Sequence, residues 1–245
     1  MDGPQAIRWF QRAADHGMGK GLYAIAEMYA YGRGVPKDDA KALASYRKAA
    51  DIGVPWAQYR LGERYADGNG VPQDFSQAAA WFEKSARGGD ADAQEKLGGM
   101  YLSGRGLQRD PVQAAIWLRK AAEQGKPQAQ YDMGVLYATG QAVLADPKVA
   151  AGWFHAAAEQ GHARAQYSLG QAYAQGRGVP ADPVEAFKWF QLAAVELSQE
   201  TRAELDKLKA KMNLDQLAQA SKRIEEWKQA HQSRVQTAEE AAAPR

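Results

Sequence analysis

The 245-residue chain carries 31 Lys and Arg against 29 Asp and Glu, and a net charge of +2 lacks the excess of basic residues that a large nucleic-acid-binding surface requires. It contains no cysteine, which excludes disulfides, thiolate metal ligands and a cysteine nucleophile. No apolar run is long enough to insert in a membrane, and residues 1–4 form no basic-then-apolar leader. The compartment is left open: cytoplasmic by default, or periplasmic if a leader was removed.

The first predicted element is a helix from Gln5 to His16 that contains the aromatic pair Trp9-Phe10 and precedes Gly17. The same features recur later as the second half of a two-helix repeat, so residues 1–19 are interpreted as half a repeat. Without a preceding helix, Trp9 and Phe10 are expected to leave apolar surface exposed. Either an upstream helix has been trimmed, or this surface docks on a partner or on a second copy of the chain, which makes self-association through the N-terminal end one hypothesis.

Residues 20–196 contain five full repeats of 36 residues with no insertion. Tyrosine, glycine and aspartate each recur at this interval. The columns are Tyr29, Tyr65, Tyr101, Tyr137 and Tyr173; Gly32, Gly68, Gly104, Gly140 and Gly176; and Asp38, Asp74, Asp110, Asp146 and Asp182. Agreement in so many columns predicts a solenoid in which each unit stacks on the next.

Each repeat is predicted to be a helix-turn-helix, as the second full repeat illustrates. Its first helix runs from about Trp56 to Asp67, where Gly68 ends it in the left-handed conformation. The second helix begins after Asp74, whose carboxylate can accept an unpaired backbone N–H, and Gly89 ends it.

Four of the first helices contain an interior glycine, at Gly62, Gly98, Gly134 and Gly170, and Ala26 replaces it in the remaining one. An interior glycine costs about 1 kcal/mol relative to alanine. We therefore expect close helix–helix contact there, with a bulky aromatic of the second helix as the partner.

One loop departs from the pattern, because the fourth repeat has Gln141-Ala142-Val143-Leu144 where the pattern has Gly-Val-Pro. Alanine does not readily adopt positive φ. This loop is expected to be rearranged and looser.

After Ala194 the period fades, and residues 197–231 are predicted to form capping helices. Thr201 resembles the start of a capping box, which predicts a helix from there through Met212, and Asn213 is expected to cap a final helix. Residues 232–245 lack apolar periodicity and are predicted to be a disordered tail.

The repeat resembles the Sel-one-like repeat (SLR), a relative of the tetratricopeptide repeat. The second full repeat carries the family pattern in Ala57, Leu61, Gly62, Tyr65, Gly68, Gly70, Val71, Asp74, Ala78, Trp81, Phe82, Ala86 and Gly89. The resemblance implies an all-α, right-handed α-α superhelix and a role as an adaptor or scaffold. The stretch from Met212 to Trp227 also resembles an extension that follows bacterial arrays of this family, which favours a bacterial origin.

By analogy with tetratricopeptide units, the first helices are expected to line a concave surface that binds a partner. The candidate contact residues are Tyr23, Glu27, Trp56, Tyr59, Glu63, Asp67, Tyr131, Tyr167 and Gln171. The tyrosines suit interface anchors, but the same residues could equally be packing. The acids of the early repeats favour a basic partner segment, and an ordinary solvated face is the alternative.

These observations predict a non-catalytic scaffold that binds another protein or a peptide, with no cofactor, no metal and no catalytic residue. The histidines His16, His155, His162 and His231 show no metal-ligand spacing. The alternative from another class is an envelope-associated protein that binds or hydrolyses a glycan or a small molecule.

Overall fold

A computed structural model describes residues 2–242, apart from the side chains of 235 and 238–242. All regular secondary structure in this part of the chain is helical. The helices form two compact units, residues 1–124 and 125–245.

The first unit consists of one helix followed by three helix pairs, and short turns that contain glycine join successive helices. The helices are α1 (Gly3–Asp15), α2 (Lys20–Tyr31), α3 (Asp39–Asp51), α4 (Pro55–Asp67), α5 (Phe75–Arg87), α6 (Ala91–Ser103) and α7 (Pro111–Glu123). Each even-numbered helix packs against the odd-numbered helix that follows it and, less extensively, against the one before it. This is the pairing that the 36-residue period predicts.

The second unit has two helix pairs and two further helices. They are α8 (Pro127–Thr139), α9 (Pro147–Ala158), α10 (Ala163–Gln175), α11 (Pro183–Ala193), α12 (Ser198–Lys209) and α13 (Leu214–Ala242). Both α12 and α13 pack against α11 and close the core of this unit around the buried Trp189 and Phe190.

The interior glycines are contact points between the two helices of a pair, as predicted. A Cβ atom at Gly134 would lie 2.5 Å from the ring of Phe154, a distance that no real Cβ contact tolerates. The corresponding distances are 2.6 Å from Gly62 to Phe82, 2.6 Å from Gly98 to Leu118 and 2.8 Å from Gly170 to Phe190. A missing side chain thus lets a bulky one of the second helix lie directly on the backbone of the first.

The aspartate column caps the second helices, which confirms the prediction for Asp74 and its equivalents. The carboxylate of Asp74 accepts hydrogen bonds from the backbone N–H groups of Ser76 and Gln77 at 2.9 and 3.0 Å. Its own N–H donates to the carbonyl of Tyr65, the tyrosine of the preceding helix that recurs every 36 residues. One residue therefore closes the turn and starts the helix.

The unusual loop of the fourth repeat keeps the geometry of the others, contrary to the predicted rearrangement. Ala142 has a φ of 63°, close to the 75° of Gly106 and Gly178 at the same repeat position. The turn is held at both ends: Gln141 N–H donates to Leu136, and Asp146 N–H to Tyr137. These bonds fix the path, so Ala142 bears the strain of the left-handed conformation.

A glutamine column links successive pairs, and sequence reasoning missed it. The side-chain amide of Gln58 donates to the carbonyl of Ala50, near the end of the second helix of the preceding repeat, at 3.1 Å. Gln94 bonds Ala86 at 3.1 Å and Gln166 bonds Ala158 at 3.2 Å in the same way. All three side chains are buried, and their recurrence every 36 residues was the available signal.

The C-terminal helices differ from the prediction in two respects. Helix α12 begins at Ser198, and Thr201 lies inside it, fully buried, with its hydroxyl donating to the carbonyl of Leu197 at 2.6 Å. Helix α13 continues through residue 242, so the tail predicted to be disordered is helical from 232 to 242; residues 243–245 lie outside the described part. The tail is rich in Ala, Glu and Gln, which propagate a helix without apolar periodicity.

The capping role of Asn213 agrees with the prediction. Its side-chain oxygen accepts from the N–H of Gln216 at 2.9 Å, and the Gln216 side chain accepts from the N–H of Asn213 at 3.0 Å. This reciprocal capping box starts α13.

Candidate functional site

The predicted contact residues lie on the first helices of the repeats, which are α2, α4 and α6 in the first unit and α8 and α10 in the second. We call the solvent-facing surface of these helices the first-helix face of each unit. Trp56 and Asp67 are exposed on it, whereas the other seven predicted residues are half-buried. A partner could therefore reach the whole side chain of these two residues and only part of the other seven.

The tyrosines are half-buried because each ring packs on the aromatic residue of the second helix in its own repeat. Ring centroids are 5.6 Å apart for Tyr59 and Phe82 and 5.9 Å apart for Tyr131 and Phe154. Tyr23 lies 5.9 Å from Tyr46, and Tyr167 lies 5.4 Å from Phe190. The tyrosine column thus contributes to packing and leaves only part of each ring for a ligand.

The acids Glu27 and Glu63 are joined by an arginine that the sequence interpretation did not consider. Arg60 Nη1 lies 2.8 Å from Glu63 Oε2, and its Nε lies 3.5 Å from Glu27 Oε1. Glu27 also accepts a 2.5 Å hydrogen bond from the hydroxyl of Tyr46. Burial, followed by this bond, raises the pKa of Tyr46 far above its ordinary value.

A similar environment surrounds the neighbouring tyrosines. Burial raises the pKa of Tyr59, and the nearby carboxylate of Glu63 raises it further. Burial also raises the pKa of Tyr23, against the opposing effect of the nearby guanidinium of Arg60. These tyrosines are neutral hydrogen-bonding groups at physiological pH, which suits contact surfaces rather than proton transfer.

Two grooves open on the first-helix face of the first unit. Groove A, of about 450 Å³, lies between the first two helix pairs and is lined by Ala30, Tyr31, Lys37, Asp39, Tyr46, Arg60, Glu63, Arg64, Asp67 and Asn69. Groove B, of about 310 Å³, lies between the next two pairs and is lined by Glu63, Ala66, Asp67, Gln73, Phe75, Phe82, Lys96, Met100 and Arg105. The predicted residues Glu63 and Asp67 line both.

One groove opens on the first-helix face of the second unit. Groove C, of about 690 Å³, is lined by Val135, Ala138, Thr139, Pro147, Ala150, Ala151, Phe154, Ser168, Gln171, Ala172, Gln175 and Arg177. It includes the predicted residue Gln171. Tyr23, Glu27, Trp56, Tyr59, Tyr131 and Tyr167 are not among the residues that line the three grooves.

Grooves B and C are the same feature of the repeat, 72 residues apart in the sequence. Glu63 corresponds to Val135, Phe82 to Phe154, and Arg105 to Arg177. Each forms where the ends of two successive first helices meet the start of the intervening second helix. The stacking of repeats therefore generates a groove at a fixed position, and the side chains at that position determine its character.

The grooves of the first unit are balanced in charge rather than acidic. Groove A has three cationic and three anionic residues, and groove B has Lys96 and Arg105 against Glu63 and Asp67. The sequence interpretation noted the acids and missed these bases. The predicted preference for a basic partner segment is therefore not supported by the surroundings of Glu63 and Asp67.

The described residues contain no group of three or more His, Asp or Glu side chains arranged to hold a metal ion. None of their helices combines the length and apolar character required to cross a membrane.

Comparison with known proteins identifies the repeat. The sequence model of the Sel1 repeat matches residues 2–18, 19–54, 57–90, 91–126, 127–162 and 163–194. A search of curated protein sequences found no match.

The solved structures that are similar to the chain include two bacterial repeat proteins. A Sel1 repeat protein from Oxalobacter formigenes is 28% identical, with a TM-score of 0.70 over 82% of this chain and 86% of that one. The protein c5321, a protective antigen of uropathogenic Escherichia coli strains that displays an SLR fold, is 26% identical, with a TM-score of 0.62. That alignment covers 98% of this chain and 59% of c5321.

Proposed function

Because this chain belongs to the Sel1 repeat family, whose members share an all-α repeat superhelix and generally act as protein–protein interaction scaffolds, we propose that it binds a segment of another protein along its first-helix faces. In this proposal the chain is a non-catalytic scaffold. The partner contributes an exposed peptide segment, and the repeats contribute grooves at regular intervals.

The observation that supports this proposal is the recurrence of the grooves at equivalent repeat positions. Their volumes, from about 310 to 690 Å³, fall in the range of pockets that hold side chains or small ligands. Grooves spaced by a structural repeat suit an extended chain, whose side chains also recur at regular intervals. A single catalytic centre would not be expected to recur in this way.

The predicted contact residues fit this proposal in two different roles. Trp56 and Asp67 are exposed and would contact a partner directly. The half-buried tyrosines would present ring edges and hydroxyl groups from a rigid packed position, which limits the side-chain entropy lost on binding. The ion pairs of Arg60 with Glu27 and Glu63 hold these two acids in place on the same face.

The proposal is tested by placing lysines at the ends of two first helices. Tyr31 lines groove A and is 56% exposed, and Thr139 lines groove C. The double variant Tyr31→Lys, Thr139→Lys should abolish capture of partner proteins from an extract of the native cells, measured by affinity purification and mass spectrometry. The long charged side chains would occupy the grooves without disturbing a buried contact.

The matched control places the same two charges on second helices. Ile116 is 44% exposed on α7, and a side chain at Gly152 on α9 meets no atom within 4 Å. Ile116→Lys, Gly152→Lys should capture the same partners as the unmodified chain. Retention of all partners by the Tyr31, Thr139 variant would contradict the proposal, as would equal loss in both variants.

A further inference from the structure

We propose that groove C is a specific pocket for a bulky apolar side chain that lies beside a carboxylate side chain in an extended segment of a partner protein. This inference rests on the proposed function and names the partner chemistry that one of its grooves selects. It follows from a comparison of groove C with groove B, its equivalent in the first unit.

Three substitutions between equivalent positions open groove C. Met100 of groove B corresponds to Ala172, Phe75 corresponds to Pro147, and Lys96 corresponds to Ser168. In each case a long or bulky side chain is replaced by a smaller one. The groove volume is about 310 Å³ in groove B and about 690 Å³ in groove C.

The substitutions also remove charge from the groove walls. Glu63 and Asp67 of groove B correspond to Val135 and Thr139. Seven of the twelve residues that line groove C are apolar, among them Phe154, and the other five carry hydroxyl, amide or guanidinium groups. A majority of apolar residues together with some polar groups is the usual composition of a ligand pocket.

Arg177 supplies the remaining part of the recognition. In groove B the equivalent Arg105 lies over the ring of Phe75, with its Cζ atom 3.8 Å from the ring centroid. Groove C has Pro147 in place of that ring. Among the described residues, no ion pair, side-chain hydrogen bond or aromatic ring engages the Arg177 guanidinium, and it is the one charged residue of the groove lining.

This arrangement favours an occupant that is apolar and anionic at neighbouring positions. An apolar side chain in the groove would remove alanine, valine and phenylalanine surface from water. A carboxylate beside it would meet an exposed guanidinium that no other group engages, and it would meet no acid in the groove lining. A basic segment would instead oppose Arg177.

The test uses a phage-displayed library of random linear peptides selected on the full chain. Selected peptides should share a large apolar residue within two positions of Asp or Glu. The dissociation constant of the most enriched synthetic peptide is then measured by fluorescence anisotropy against the full chain and two variants.

The two variants separate the apolar and ionic contributions. Ala172→Met copies the residue of groove B and should weaken binding by at least about tenfold, since a filled groove excludes the anchor. Arg177→Gln should weaken binding by about threefold, the scale of an exposed ion pair. Replacing the peptide's acid by its amide should weaken binding to the unmodified chain but not to Arg177→Gln.

Arg105→Gln in groove B is the matched control for Arg177→Gln, and thermal melting checks that Ala172→Met keeps the fold. Arg105→Gln should leave the dissociation constant unchanged, and Ala172→Met should keep the thermal melting of the unmodified chain because Met100 is accommodated at the equivalent position. Failure to select any peptide, selected peptides without an apolar anchor, or unchanged binding by Ala172→Met would overturn the assignment of groove C. Selected peptides that lack an acid would overturn the role of Arg177.

These outcomes are distinguishable from failure of the proposed function. If the lysine variant at Tyr31 and Thr139 loses its cellular partners while Ala172→Met retains peptide binding, the first-helix faces bind proteins but groove C is not the specific pocket. If the lysine variant retains its cellular partners, the proposal that the first-helix faces bind other proteins is contradicted.

Discussion

The packing of each helix pair depends on a single absent side chain. Gly134 lies against the ring of Phe154 so closely that even one added carbon would overlap it. The sequence predicted this contact because the glycine and the aromatic recur in register. In the pair α6–α7 the residue in that register is Leu118, and it occupies the place of the aromatic against Gly98.

Replacing Gly134 by leucine should therefore destabilise the second unit strongly. The new side chain must displace Phe154, which is 7% exposed and has little room to move. Overpacking of this kind costs about 3 kcal/mol, so the melting temperature should fall by several degrees.

The control for this substitution is Gly152→Leu on α9. That glycine is also inside a helix, and a Cβ there meets no atom within 4 Å. The variant should melt at or slightly above the temperature of the unmodified chain because leucine favours the helix. Equal melting of Gly134→Leu and the unmodified chain would contradict the packing account.

The site was less predictable than the core at the residue scale. A hydrophobic period places Glu27 and Glu63 on the first-helix face, but it does not reveal that Arg60 joins them. The pair of Arg60 with Glu63 has the i,i+3 spacing of neighbours on a helix and could be read from the sequence, but the contact of Arg60 with Glu27 depends on rotamers and on the distance between neighbouring helices, which spacing alone does not give. The same reason explains why the cations of grooves A and B were missed.

Among the elements, second helices begin uniformly and first helices do not. Aspartate caps the five second helices that follow a first helix, whereas Val54, Asp90, Lys126 and His162 stand at the N-caps of α4, α6, α8 and α10. His162 is unusual because its Nδ1 accepts the backbone N–H of Ala165 at 3.2 Å. Its Nε2 lies 3.1 Å from Gln128 Oε1, which assigns the proton to Nε2.

This cap should make the stability of α10 depend on pH. Burial, assisted by the positive charge of Arg164, lowers the pKa of His162, so the folded chain favours the neutral ring. The unfolded chain takes up a proton more readily as the pH falls below the ordinary histidine value of about 6.5. The contribution of His162 to stability is thus present at pH 7 and is lost progressively as the pH falls toward 5.

The measurement compares the unmodified chain with His162→Asn, which retains a capping oxygen but does not titrate. The difference in free energy of unfolding between the two proteins should shift in favour of the variant as the pH falls from about 7.5 to 5. The other three histidines are present in both proteins and cancel. A pH-independent difference would show that His162 does not control the stability of this helix.

The boundaries of the C-terminal elements show where local patterns mislead. Thr201 and Glu204 have capping-box spacing, yet the hydroxyl of Thr201 bonds within the helix and the side chain is buried against the core. A local motif competes with tertiary burial, and burial wins here. Helix existence was predictable in this region, whereas its first residue was not.

For the whole chain, the 36-residue period was sufficient to predict the fold class. The all-α repeat architecture requires only that each helix pair has an apolar face that its neighbours cover. The recurrence of apolar residues every 36 positions indicates such a face in every pair. The partner chemistry was not predictable in this way, because it depends on the few positions at which one repeat differs from another.

The final helix should be required for the stability of the second unit. Trp227 on α13 packs edge-on against the buried Trp189 at 6.3 Å, and Arg223 bonds Glu185 at 2.7 Å. Removal of residues 213–245 would expose this surface to water. We expect a lower melting temperature and faster amide hydrogen exchange in α11.

A shorter truncation provides the control. Removal of residues 232–245 keeps Trp227, Arg223 and the buried Ile224, and among the described residues it deletes the contacts of Arg234 with the carboxylate and the carbonyl of Glu159. The exposed ion pair with the carboxylate is worth less than about 1 kcal/mol. The short truncation should melt within a few degrees of the full chain, and the same behaviour in the long truncation would contradict a capping role for α13.

The buried glutamines have an implication for how such arrays lengthen. The side chains of Gln58 and Gln94 each donate a hydrogen bond to a backbone carbonyl near the end of the preceding helix pair. Every repeat ends with a second helix that has a backbone carbonyl at this position. A duplicated 36-residue segment would carry the donor for the junction upstream and the acceptor for the junction downstream. Growth by tandem duplication would therefore preserve a hydrogen-bonded joint at both new boundaries without any compensating mutation.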